Sequence, residues 1–293
     1  MSDKSDSLRS RVTAQPPQTL EAQVFDVKDV LDPTFFYPVA ECDSSSKAFR
    51  GYCLIINQRD FLNSTGQGRR DGTDIDADRV ERLFKSLRYC VLRHFNVNRA
   101  NLIRIIQEVA ALDHRSCDSF VCVMLSHGES GIVYATDGPV PMETLVGAFR
   151  GDTCCSLIGK PKIFFIQACR GVEFDRGVAL PYSTDAAEKV ILTRLPVEAD
   201  ILVANSTVPG YFAWRNSTAG SWFIQELCRT LEQDRDGKQP HDIVTLLTTV
   251  ARCVAYQYRS NTGMIGSHNM VQMTSLTSTL TRLVYLTGQP KKY

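Results

Sequence analysis

Cys169 and His127 are the residues of this chain best placed to do covalent chemistry. Each lies two positions beyond an apolar run of strand length, Lys162–Gln167 (KIFFIQ) and Phe120–Leu125 (FVCVML). A free thiol has a pKa of about 8.5, and an imidazole beside it can take its proton and release a nucleophilic sulfur. Two parallel strands ending on one edge of a sheet would bring the pair side by side, although 42 positions separate them. Gly128 follows the histidine, so its N–H is not screened by a side chain. With the N–H of Cys169 it can hold a developing oxyanion. Taken singly, each residue has a plainer reading: a cysteine after a strand is usually a small buried hydrophobe, and a lone histidine a packing or surface residue. Their joint placement at strand ends favours catalysis.

The elements that must position them follow from hydrophobic periodicity. Strands are expected at 52–57 (YCLIIN), 90–95, Phe120–Leu125, Ile132–Ala135, Lys162–Gln167, Ile201–Asn205 and 279–286. Helices are expected at 73–89, capped by Thr73, and at 98–113, 142–149, 221–232 and 242–258. Apolar strands alternating with helices predict an α/β sandwich around a largely parallel sheet, in which chemistry collects at the carboxyl ends of strands.

The chain has 293 residues, 43% hydrophobic and 22% charged, with a net charge of +1. That is enough for a sizeable core and excludes disorder throughout. The charge balance gives no general case for nucleic acid or a membrane surface, and no apolar stretch reaches membrane-spanning length. The ten cysteines, with no signal-like start and no Cys-x-x-Cys pair, read as mostly reduced thiols in a cytoplasmic protein. The spacing Cys117-x4-Cys122-x4-His127 only faintly resembles a zinc knuckle, and Cys122 sits mid-strand. Residues 1–46 hold eight acidic and four basic residues, a Pro-Pro pair and a serine run, and read as a short flexible leader.

The pentapeptide Gln167-Ala168-Cys169-Arg170-Gly171 resembles the signature of the caspase family. So do Ser126-His127-Gly128-Glu129, the first strand at Gly51–Asn57, the loop Arg70-Asp71-Gly72-Thr73-Asp74, and Pro209-Gly210-Tyr211-Phe212-Ala213-Trp214-Arg215-Asn216 followed by Gly220-Ser221-Trp222-Phe223. The matches run in order from about residue 47 to 288, and the short leader is similar to that of the executioner branch. The resemblance implies a caspase-like three-layer α/β sandwich around a mostly parallel central sheet. It implies a leader over 1–46, a large subunit over 47–185, and a linker remnant and small subunit over 186–293. It also implies a cysteine endopeptidase cutting after aspartate in apoptosis, with Cys169 as nucleophile and His127 as acid/base, oriented by a backbone carbonyl near Gly68.

Arg70 and Arg215 can present guanidinium forks to one carboxylate, with Gln167 adding an amide. A neutral residue there would leave two cations unpaired, so exclusion counts as much as attraction. By the same resemblance Phe212, Trp214 and Trp222 line neighbouring subsites, and Asn216 faces an acidic side chain four residues before the cut. The plainer reading of the aromatics is core or edge packing. The segment 260–272 stands where executioners carry aromatic residues in a subsite wall, and here has none. Family zymogens are cut after aspartate. The irregular stretch 171–196 offers Asp175 and Asp185, of which Asp185 is favoured because small Ala186 follows. The leader offers Asp29 and Asp6. An initiator caspase, inhibitor-of-apoptosis proteins and a homodimer are the implied partners, and no metal or organic cofactor is implied. The rivals are a relative cutting after Arg or Lys, opposed by the two arginines; a non-enzymatic scaffold, opposed by the retained Cys and His; and a small-molecule binder, opposed by the missing phosphate loop.

Overall fold

The computed structural model describes residues 36–38, 49–171, 173–174, 196–264 and 266–288. The first half contains β1 (Gly51–Asn57), α1 (Thr73–Ser86), β2 (Tyr89–Phe95), α2 (Arg99–Ala110), β3 (Phe120–Leu125), β4 (Gly128–Glu129), β5 (Ile132–Ala135), β6 (Gly138–Pro141) and α3 (Met142–Gly147). The second contains β7 (Lys162–Gln167), β8 (Ile201–Asn205), β9 (Arg215–Asn216), β10 (Gly220–Ser221), α4 (Trp222–Asp236), α5 (Ile243–Gln257) and β11 (Ser275–Ser278).

Six strands form one sheet in the order β11-β8-β7-β3-β1-β2, and only β11 runs antiparallel to its neighbour. Strands β3 and β7 are apolar at nearly every position because the sheet is covered on both faces. Alternate side chains go to opposite layers. Ile55, Val123 and Phe165 pack with Phe84 of α1, Leu231 of α4 and Val250 of α5. Ile56, Met124 and Ile166 pack with Ile106 of α2 and Leu145 of α3. The result is the expected three-layer sandwich.

Four local expectations change. The strand expected at 279–286 is instead β11, at Ser275–Ser278, paired with β8. The apolar Val284 and Leu286 that suggested a strand leave the ladder and enter the helical layer as irregular chain, where Val284 accepts a bond from the N–H of Ile243. Thr73 is not the cap of α1. Gly72 is, at φ 85, where a Cβ would lie 2.4 Å from the Asn216 carbonyl oxygen. Asn98 and Asp242, expected inside their helices, cap them through side-chain bonds. Within the expected flexible leader, residues 36–38 are docked. Phe36 bridges Leu283, and Tyr37 is buried, donating to Asp200 Oδ1 at 2.5 Å.

Candidate active site

The ends of β3 and β7 set the site. Leu125 and Gln167 are level in the parallel register, and the Ser126 N–H donates to the Gln167 carbonyl at 3.1 Å. The chain beyond each strand therefore leaves the same edge side by side. Gly128 packs so closely that a Cβ would lie 2.9 Å from both the Cys169 carbonyl oxygen and the Ala168 Cβ. The Tyr134 N–H donates to the His127 carbonyl, which makes Gly128 and Val133 a non-hydrogen-bonded pair of the β4–β5 ladder. The Gly128 N–H thus points away from β5.

The peptide carrying Cys169 is clamped on both sides. Ser206 Oγ takes the Ala168 N–H at 3.3 Å and donates to the Ala168 carbonyl at 3.0 Å. Beyond it, Arg170 exchanges main-chain bonds with Tyr211 and Gly210, at 3.0 and 2.8 Å. Gly171 passes so near Gly210 that a Cβ would lie 2.1 Å from its oxygen. The Cys169 thiol accepts from the Ala213 N–H. Burial pushes this thiol up; the Ala213 N–H and the charges of Arg70 and Arg215 pull the other way, and burial wins.

His127 is half-buried and packs at a tilt against Phe61, with ring centroids 4.9 Å apart. Its Nε2 lies 2.7 Å from the Gly68 carbonyl oxygen. A carbonyl can only accept, so Nε2 carries the proton and Nδ1 keeps a free lone pair. Burial, with Arg70 and Arg215 adding like charge, pushes the imidazole down to about 4 against the supporting pull of Gly68. The ring is neutral at pH 7.

Arg70 is fully buried. Its Nη1 donates to the Gln58 carbonyl at 2.8 Å and to Thr73 Oγ1 at 2.7 Å, and Thr73 in turn donates to Asn57 at the end of β1. Among the described residues its Nε and Nη2 have no partner, nor has the buried amide oxygen of Gln167. Burial pushes Arg70 down to about 9, with Arg215 adding repulsion and Asp76 opposing it. Arg215 reaches the site from β9, its Nε donating to the Asp71 carbonyl at 2.8 Å, and is also lowered by burial. Buried donors without acceptors are expensive unless a ligand supplies the acceptor. Two cations, one with unpaired N–H groups among the described residues, could take a carboxylate here, and the fields of both arginines reach the Cys169 sulfur.

Beyond the pocket the aromatics form a ladder. Phe212 and Trp214 meet at 5.2 Å, Trp214 stacks on Trp222 at 5.7 Å, and Trp222 meets Tyr258 at 5.2 Å. Trp222 is buried at the start of α4. Asn216 is exposed, and its amide oxygen accepts from Thr218 and Ala219, leaving only its NH2 group to serve a ligand. Asp185, Asp29 and Asp6 lie outside the described residues.

Three contributors were not expected at the site, although Asp76 was read as the acidic residue three positions after the expected cap Thr73. Buried Asp76 of α1 accepts from the Ser221 N–H and Oγ, tying α1 to the β9–β10 hairpin that carries Arg215. Burial outweighs those bonds and both arginines and pushes its carboxyl up to about 6. Buried Gln272 takes the Trp214 N–H at 2.6 Å and donates to the Ser206 carbonyl at 2.7 Å. Phe174 joins the aromatic ladder, stacked on Trp214 at 5.3 Å.

The family model of the caspase domain matches residues 50–285. The chain belongs to the caspase family. It is 43% identical to caspase-3 of Felis catus over 235 residues, which is 80% of this chain and 83% of that protein. It is equally similar to caspase-3 of Mus musculus, with the same identity and coverage. The crystal structure of caspase-1 from Spodoptera frugiperda superposes with a TM-score of 0.76 at 36% identity, covering 94% of this chain and 100% of that one. The likeness to caspase-3 makes it an executioner-type caspase, a cysteine-type endopeptidase of apoptosis that cleaves protein substrates after aspartate.

Proposed function

We propose that this caspase works through a Cys169 thioester, with His127 as acid/base and Arg70, Arg215 and Gln167 holding the substrate aspartate. The observation that carries the reading is the buried Arg70 guanidinium, whose Nε and Nη2 have no partner among the described residues, beside a cysteine at a strand end. His127 Nδ1 takes the thiol proton as sulfur attacks the carbonyl carbon after the aspartate. The N–H groups of Gly128 and Cys169 receive the oxyanion. His127 then gives that proton to the leaving amine as the C–N bond breaks. Water, deprotonated by the same nitrogen, hydrolyses the thioester and restores the thiol. A raised thiol and a depressed imidazole suit this order, in which the proton moves during attack rather than resting as an ion pair.

The proposal includes a zymogen with a leader over 1–46, cut in the 171–196 linker after Asp185 into subunits of 47–185 and 186–293, with Asp29 and Asp6 as leader sites. An initiator caspase would make the first cut, and inhibitor-of-apoptosis proteins would bind the mature cleft. We place the enzyme in the cytoplasm; among the described residues no helix is long and apolar enough to cross a membrane. A homodimer of subunit pairs is supported by β11, which ends the sheet among the described residues and exposes Leu276, with Met273 exposed just ahead of it. Such an edge invites pairing.

The test uses wild-type and Cys169→Ala protein, fluorogenic tetrapeptides differing only at the last residue, and mass spectrometry of both chains. Hydrolysis of the aspartate peptide alone is expected, falling by roughly 10⁴-fold or more in the variant, with a wild-type fragment starting at Ala186. A wild-type chain that hydrolyses no peptide even after a deliberate linker cut would hand the case to the scaffold reading.

A further inference from the structure

Phe212 and Trp214 flank Ala213, whose N–H reaches the Cys169 sulfur. Phe212 and Trp214 lie two positions apart and their rings meet at 5.2 Å, so they share one side of this stretch. The side chains of a substrate strand laid along it alternate between two faces. If its aspartate enters the arginine pocket, the residue just before the aspartate projects towards Phe212 and Trp214.

That place is already taken. The Phe174 ring lies 5.6 Å from Phe212 and 5.3 Å from Trp214, stacked on the indole at 28°. Three rings in mutual contact leave no gap among them for a fourth large group. The third ring does not come from the 260–272 segment, which has no aromatic residue. It comes from the chain just after the nucleophile. Its placement is set by the main chain: the Glu173 N–H donates to the Gly210 carbonyl at 3.1 Å, and the Phe212 N–H donates to the Glu173 carbonyl at 2.9 Å. Truncating the ring leaves those bonds intact.

We propose that Phe174 is a specificity-determining residue: its ring fills the slot between Phe212 and Trp214 and restricts the substrate residue immediately before the aspartate to small side chains. The inference rests on the assignment of the aspartate pocket and of Cys169 given above. A small residue such as Ala or Val rests against the outer edge of the three rings. A large one must displace Phe174 from two aromatic contacts before it can bind.

The experiment is a specificity profile of the full chain, processed or deliberately cut in the linker, as wild type, Phe174→Ala and Phe174→Leu. The probes are fluorogenic tetrapeptides ending in Asp that carry Ala, Val, Leu or Phe just before it. In wild type, kcat/KM for the Ala and Val peptides should exceed that for the Phe peptide by at least tenfold. Phe174→Ala should raise the Phe peptide at least tenfold relative to the Val peptide, through KM, with Phe174→Leu in between. An unchanged ranking in both variants overturns the role of Phe174 and leaves the pocket assignment standing. A loss by one common factor for all four peptides also overturns it, because the ring would then only hold the loop. If wild type cleaves none of the four, the pocket assignment fails and takes this inference with it.

Discussion

The two arginines are not equivalent in their surroundings. Arg70 is fully buried, spends Nη1 on Gln58 and Thr73, and leaves Nε and Nη2 without a partner among the described residues. Arg215 anchors its Nε on the Asp71 carbonyl. Charge-assisted hydrogen bonds are worth about 1.5–3 kcal/mol each, so removing either guanidinium should raise KM for an aspartate peptide by roughly 10–150-fold. Arg70→Lys should recover little of this, because a single ammonium cannot reproduce the fork. Steady-state kinetics of Arg70→Ala, Arg70→Lys and Arg215→Ala check this, and unchanged KM values would remove the pocket assignment. The thiol gives a second handle. Burial holds Cys169 above its ordinary range and His127 is neutral down to about 4, so neither group is charged at pH 7. Since the thiolate is the species alkylated, iodoacetamide labelling of Cys169 should climb about tenfold per pH unit through neutral pH and on past the ordinary thiol range near 8.5. Peptide mass spectrometry of labelled protein reads this; a plateau already reached below pH 7 would mean a thiolate–imidazolium pair instead.

At the scale of elements, position comes from how strands end and what ties their continuations together. Ser206, one residue past β8, holds Ala168 one residue past β7, and Gln272, ahead of β11, holds both Ser206 and Trp214. The three loops that meet at the sulfur are thus bound to one another as well as to the sheet. The same logic applies at the other end, where Tyr37 donates to the buried carboxylate of Asp200, which also accepts from Thr281 at 2.6 Å. Tyr37→Phe removes one partner of a buried group and should cost about 1–3 kcal/mol. For a domain of this size that is a Tm lower by roughly 2–12 °C, measured by calorimetry. No change in Tm would mean that the Tyr37 hydroxyl contributes nothing to holding the chain end.

For the whole molecule, the open question at the sheet edge is association. Strand β11 is the only antiparallel strand of the six and has one side unpaired within the described residues. The Thr279 N–H donates to the Ile201 carbonyl, so by the alternation of the antiparallel ladder the Leu276 N–H points away from β8. If a second copy adds across that edge, Leu276→Pro should leave a monomer, since proline removes that outward donor. Sedimentation equilibrium of wild type and variant decides it; a wild-type monomer at micromolar concentration, or a variant dimer, would place the contact elsewhere or nowhere.

Chemistry and framework were legible in the sequence because both are local. Five of the six large-sheet strands announce themselves by apolar runs, and Cys169, His127 and Gly128 sit just past two of them. The edge strand β11 did not, because Ser275–Ser278 is mostly polar and partly or largely exposed, while the apolar Val284 and Leu286 nearby were needed elsewhere in the core. Nothing local places Asp76, Gln272 or Phe174 at the site; their roles depend on partners up to 145 positions away. Residue order is enough to say which groups are available for the reaction and which layers carry them. Packing settles which of their hydrogen bonds are already spent, on Gln58, Thr73, Gly68 and Asp71, and which are left over. That division is set by long-range packing, which the order of residues alone does not display.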